Sequence, residues 1–150
     1  MQNILLDDRD NVYIIDFSET KPRNIVSDFA RLEPIFKFEM TRLESDEDLV
    51  SFLELEQALT RINSLDEVPP FEYRGNDPEV YKVYQMICRI RKYAKTTVIF
   101  ETDPIPYLVA MLEWVLPIVV FVNVTPWAKK AAVYSAAMIV EQILRLESRD

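Results

Sequence analysis

Three dipeptides constrain the fold of this chain more than any other feature: Asp77–Pro78, Asp103–Pro104 and Thr125–Pro126. Proline lacks a backbone N–H and holds φ near the helical value, so it suits the first position of a helix. An Asp or Thr just before it can accept from the amides that the first turn leaves unbonded. Each pair therefore predicts a helix start. Ser45–Asp46–Glu47–Asp48 predicts a fourth through its capping-box spacing, with Leu49, Phe52, Leu53, Leu59 and Ile62 as the apolar stripe behind it.

The helix after Asp77 has Val80, Tyr84, Ile87, Cys88 and Arg91 along one stripe and runs to about Lys95. Cys88 on that stripe reads as a core filler. An earlier helix starts near Ile25, with Ile25, Phe29, Leu32, Phe36, Met40 and Leu43 at three- and four-residue steps. Pro34 either kinks it or divides it in two. The last helix, Pro126 to about Glu147, mixes Ala131, Ala132, Ala136 and Ala137 with Val133, Ile139, Val140, Ile143 and Leu144. Its small residues allow close packing on the apolar segment before it. Between helices, Asn63 to Asn76 carries Pro69, Pro70 and Gly75 and predicts an ordered surface loop, while Val98–Ile99–Phe100 fits a short extended link.

Ile105 to Val124 is the most hydrophobic stretch and approaches the length of a membrane span. It contains Glu113, Asn123, Pro106 and Pro117, and a carboxylate at the centre of a bilayer costs about 2.5–3.5 kcal/mol on insertion scales. The expectation is a buried central helix ended or kinked at Pro117, with Glu113 partnered or reaching water. A membrane-attached protein is the weaker alternative.

At the N-terminus, Asn3–Ile4–Leu5–Leu6 and Val12–Tyr13–Ile14–Ile15 flank the polar run Asp7–Asp8–Arg9–Asp10–Asn11. Two apolar runs around such a turn predict a β-hairpin, and their near-continuous apolarity predicts that both faces are covered. Asp16 ends the second run and Asn3 opens the first. An amide and a carboxylate at opposite ends of a hairpin can converge on one hard cation, which takes oxygen ligands. An EF-hand register over Asp8, Asp10 and Glu19 fails, because Val12 and Tyr13 fall on the fifth and glycine positions and strands flank the loop.

Asn3, the run Ile14–Ile15–Asp16–Phe17 and the stretch Asp28–Phe29–Ala30–Arg31–Leu32–Glu33 resemble the kinase-like phosphotransferases. The likeness is to the aminoglycoside and choline kinase branch and its bacterial relatives, which include the ternary complex associated domains. It covers roughly the first thirty-five residues. It implies that Asn3 and Asp16 are Mg²⁺ ligands, that ATP is the cofactor of a complete relative, and that Asp28 ties its helix to the catalytic loop. Without the resemblance, Asp28 in a first turn also favours the helix dipole, and both readings stand. The pattern departs from the family where the catalytic base belongs, five residues before Asn3 and so before Met1. No histidine occurs anywhere, and Ser18 stands where protein kinases have glycine.

Composition removes other classes. A net charge of −8 leaves no basic footprint for nucleic acid and disfavours an anionic membrane surface. The one cysteine forms no internal disulfide, and without histidine it makes no zinc site, which suits a cytoplasmic setting. Only one glycine is present, so this sequence holds no glycine-rich phosphate loop. The absence of histidine also removes Ser-His and Cys-His nucleophile systems.

These readings converge on one domain over residues 1–150, α+β but mostly helical: an N-terminal β-hairpin laid over five or six packed helices, like a kinase-like C-terminal lobe. The functional expectation is a truncated phosphotransferase lobe that keeps Asn3 and Asp16, lacks the catalytic aspartate and the nucleotide-binding lobe, and binds neither Mg²⁺ nor ATP tightly. The alternative is a non-catalytic helical interaction module. The expected partner is the missing lobe, another protein or a second copy of the chain.

Overall fold

The computed structural model describes residues 4–6, 12–14, 25–71, 73, 75, 77–97 and 103–148. Five α-helices make its body: α1 Ser27–Glu39, α2 Asp46–Thr60, α3 Pro78–Thr97, α4 Ile105–Val115 and α5 Pro126–Glu147, with a 3-10 helix Leu116–Val120 between α4 and α5. Helix α1 packs on α3 and α4, α2 packs on α3 and α5, and α4 and the 3-10 helix pack on α5.

This architecture corrects the expected α+β class with a hairpin as one of its layers. The three apolar clusters of the core are built by helices and their connections. Extended pairing among the described residues is limited to two three-residue strands, Ile4–Leu6 and Val12–Ile14, antiparallel with Leu5 opposite Tyr13. A pair that short lacks the area to form a layer. The fold is helical.

The capping signals act where they stand. Ser45 Oγ accepts from Asp48 N at 3.1 Å, and Asp48 Oδ2 accepts from Glu44 N at 2.9 Å. That backbone bond leads the interactions that hold the Asp48 carboxyl below its ordinary range. Asp77 Oδ1 accepts from Glu79 N and Asp103 Oδ1 from Ile105 N, each at 2.9 Å. Thr125 Oγ1 accepts from Ala128 N at 3.1 Å and donates to Leu43 O at 2.8 Å, so one hydroxyl starts α5 and pins it to the connection before α2. Ser45→Ala should lower the unfolding free energy by about 1 kcal/mol, the usual cost of a lost N-cap, read as a shifted urea midpoint at constant slope.

Both internal prolines have clear outcomes. Pro34 lies inside α1 without ending it. At Pro117 the α-helix has already given way to the tighter 3-10 turn. The hydrophobic segment is thus an eleven-residue helix and a short 3-10 piece, with Tyr107, Leu108, Met111 and Val115 buried and Glu113 exposed. No described helix is long and apolar enough to cross a membrane. Cys88 lies in the cluster between α2 and α3, where burial pushes its thiol pKa up.

The loop before α3 is tied down. Tyr73 OH bonds Ser51 Oγ at 3.0 Å and accepts from Asp77 N at 3.2 Å, Tyr84 donates to Pro69 O, and the Phe71 and Tyr84 rings are 4.7 Å apart. A Cβ at Gly75 would collide with the Tyr73 side chain, which accounts for glycine at this position.

One stripe differs from expectation. In α1 the buried face is Ser27, Ala30, Glu33, Pro34 and Lys37, whereas Ile25 is 62% and Leu32 40% exposed. In α5 the small residues pack closely as expected: Ala131, Ala132, Ala136 and Ile139 face the core, while Val133, Ala137, Val140 and Leu144 are exposed. For α1 the reason is its central position: its innermost face carries paired charges, and its apolar residues flank them.

Candidate functional site

Four charged side chains meet at the centre of the bundle. Helix α1 supplies Glu33 and Lys37, one turn apart on its inner face; α2 supplies Glu56 and α3 supplies Arg91, and all four are buried. Arg91 grips Glu33 with both arms of its guanidinium, Nη2 to Oε1 at 2.7 Å and Nε to Oε2 at 2.9 Å, and Nη1 donates to Leu59 O at 3.2 Å. Lys37 Nζ bridges the two acids, 2.9 Å from Glu33 Oε1 and 3.0 Å from Glu56 Oε1. Tyr107 of α4 donates to Glu33 Oε2 at 3.0 Å and Ser135 of α5 donates to Glu56 Oε1 at 2.8 Å.

Each of the five α-helices thus contributes to one polar centre, whose formal charges cancel. Burial pushes the Glu33 carboxyl up, but the Arg91 and Lys37 charges outweigh it and hold it down at about 2. Burial works against the charged form of Arg91 too, and Glu33 reverses that and raises its pKa. Burial, with Glu33 alongside, raises Tyr107 well above the ordinary phenol value, so it stays a donor. A sealed, mutually satisfied cluster of this kind positions helices. It offers no open ligand position and no exposed nucleophile.

Open concavities lie elsewhere. A groove of about 480 Å³ runs between α1 and the α4–3-10 segment, walled by Pro34, Ile35, Phe38, Pro117, Ile118 and Phe121. The Arg31 guanidinium lies 4.4 Å from the Trp114 ring centre at its edge. A second, shallower groove lies between α4 and α5.

Of the residues singled out in the sequence, Asp28 sits exposed in the first turn of α1. Asn3 and Asp16 lie outside the described residues, so their convergence on a cation is not described. As an amide and a carboxylate they are a suitable donor pair for Mg²⁺. Among the described residues no group of three or more Asp, Glu, Cys or His could hold a metal ion. Sequence reasoning missed the central cluster, although Arg91 on an otherwise apolar stripe was its signal.

The class so defined is a small helical bundle locked by an internal ion cluster, with apolar grooves on its surface. Within that class the chain belongs to the ternary complex associated domain 9 family, whose model matches residues 1–113. The match runs from before the first strand into α4 and leaves the 3-10 helix and α5 beyond it. Neither the curated proteins nor the solved structures contain a match.

Proposed function

We propose that this chain is a helical interaction module of kinase-like descent that holds a partner protein in a complex and transfers no phosphoryl group by itself. The observation that carries the reading is the groove between α1 and the α4–3-10 segment. Its walls are mainly apolar, with two prolines, two phenylalanines, two isoleucines and Trp114, and Arg31, Glu39 and Glu113 add charge to the lining; its frame is fixed from within by the buried ion cluster. Apolar, aromatic-lined concavities on rigid elements are where partner side chains anchor. The occupant that fits is a protein segment presenting bulky apolar side chains. The family description, a domain associated with a ternary complex, agrees with that role.

The kinase-like side of the proposal rests on Asn3, Asp16–Phe17 and Asp28 in their family order. Phosphoryl transfer depends on positioning nucleotide phosphates and metal, and this chain has one glycine and no glycine-rich loop to do so. A photo-reactive residue at Phe121 should yield a discrete protein adduct in cells, and the adduct's purified protein should bind the chain directly and lose affinity for Phe121→Asp. Failure of that direct binding would overturn the reading. In parallel, titration with Mg²⁺–ATP and a phosphate-release assay should show no turnover. Turnover abolished by Asp16→Ala would make the chain an enzyme instead.

A further inference from the structure

The outward face of α5 carries a second apolar stripe that no element among the described residues covers. Val133, Ala137, Val140 and Leu144 follow one another at steps of four, three and four. Val133 is 53%, Val140 44% and Leu144 59% exposed, and Ala137 is exposed as well. The alternating four-three spacing keeps residues on one line along a helix and is the pattern of a helix-pairing seam. The seam borders the groove between α4 and α5, where Leu112 and Leu116 form the opposite wall.

The same spacing continues one step at each end into a charge. Lys130 stands three residues before Val133 and Glu147 three after Leu144, and both are exposed. The Lys130 ammonium lies 4.2 Å from the Trp127 ring centre, a contact that steadies the side chain and leaves its charge in place. Arg145, a cation in the last turn of α5, donates to Thr60 O.

We propose that a second copy of this chain covers the seam, with the two α5 helices packed antiparallel about a two-fold axis between Ala137 and Val140. That arrangement puts Val133 opposite Leu144 of the second copy, Ala137 opposite its Val140, and Lys130 opposite its Glu147. Each layer matches a smaller with a larger side chain or a cation with an anion. Because the axis repeats every contact, all six positions are matched at once, as an isologous interface requires. A parallel pairing would stack Lys130 on Lys130 and Glu147 on Glu147. On the flank, the antiparallel pairing sets Glu141 near Tyr134 of the second copy, so it forces no like charges together there. The seam complements itself in one orientation, which selects another copy over an unrelated helix. This association uses a face separate from the groove between α1 and α4.

Sedimentation velocity on the full chain tests it. At about 100 µM, well above a micromolar dissociation constant, the species should have twice the 17.6 kDa chain mass. K130E and E147K should each weaken the dimer at least tenfold, and the double variant K130E/E147K should restore it. Oxidising a mixture of V133C and L144C proteins should give the mixed disulfide, with Cys88 too buried to interfere. All substituted positions are exposed, and unchanged circular dichroism would confirm that each variant folds. A wild-type chain that stays monomeric at that concentration would overturn the proposal, as would a dimer indifferent to K130E or a V133C protein that cross-links mainly to itself. None of these results bears on binding at Phe121.

Discussion

Arg91→Met is expected to lower the unfolding free energy by about 3–5 kcal/mol, the usual cost of removing one member of a buried ion pair. The loss does not come from packing, because methionine fills much of the same volume. It comes from Glu33, whose carboxylate would keep Lys37 and Tyr107 but lose the two-pronged guanidinium contact at 2.7 and 2.9 Å. Leu59 O would lose the guanidinium and keep only backbone donors such as Ile62 N at 3.3 Å. The diagnostic variant is the double Glu33→Met/Arg91→Met. It removes one negative and one positive charge together and leaves Lys37 paired with Glu56 at 3.0 Å. Replacing a whole buried pair by apolar side chains is often close to neutral, so the double should recover most of what either single loses. Urea unfolding at one fixed protein concentration measures the cycle, since association would otherwise add its own stabilisation. Additive single losses would show that the cluster does not act as a coupled unit.

Much of the helical order could be read from local chemistry. The helix starts at Ser45, Asp77, Asp103 and Thr125 came from side chains that bond amides within three residues of themselves, so no distant contact was needed to decide them. The phase of α1 could not be read that way. Counting apolar residues selects Ile25 and Leu32, yet the helix turns Glu33 and Lys37 inward because Arg91 and Glu56, on two other helices, neutralise them. A charge counts as a surface residue until its partner is known, and the partners lie 58 and 19 residues away. Arg91 was the exception, since an arginine on an apolar stripe requires a buried acid somewhere. For α5 the expected close packing of small residues holds, with Ala131, Ala132 and Ala136 on the core side. That helix has two apolar faces, and composition cannot say which one the core takes. The hairpin reading weighed the hydrophobicity of two short runs as though they formed a layer, whereas the bundle's area comes from helix contacts. For the site, Asp28 was placed correctly at a helix start, while the central cluster depends on contacts between helices that no local pattern encodes.

Lys37→Met should cost a similar amount, about 3–5 kcal/mol at neutral pH, but with the opposite response to acid. In the wild type, the Glu33 carboxyl is held at about 2, below the value of 4.5 for a free glutamate. A depressed acid contributes stability that is complete above its unfolded pKa and disappears as pH falls through the folded one. A depression of that size corresponds to about 3 kcal/mol, lost progressively between about pH 4.5 and pH 2. Removing the ammonium changes the sign. Glu33 and Glu56 each lie within 3.0 Å of Lys37 Nζ, so their facing oxygens are no more than about 6 Å apart in a site shielded from water. With the bridging cation gone, two carboxylates face each other with only Arg91 to offset them, and the site gains from binding one proton as it folds. The variant should therefore become more stable as pH falls from 7 towards about 5, over a range where the wild type is flat. Thermal unfolding midpoints of both proteins across that range decide it. If the variant is equally flat, its carboxylates are reached by water, and the description of a sealed cluster fails.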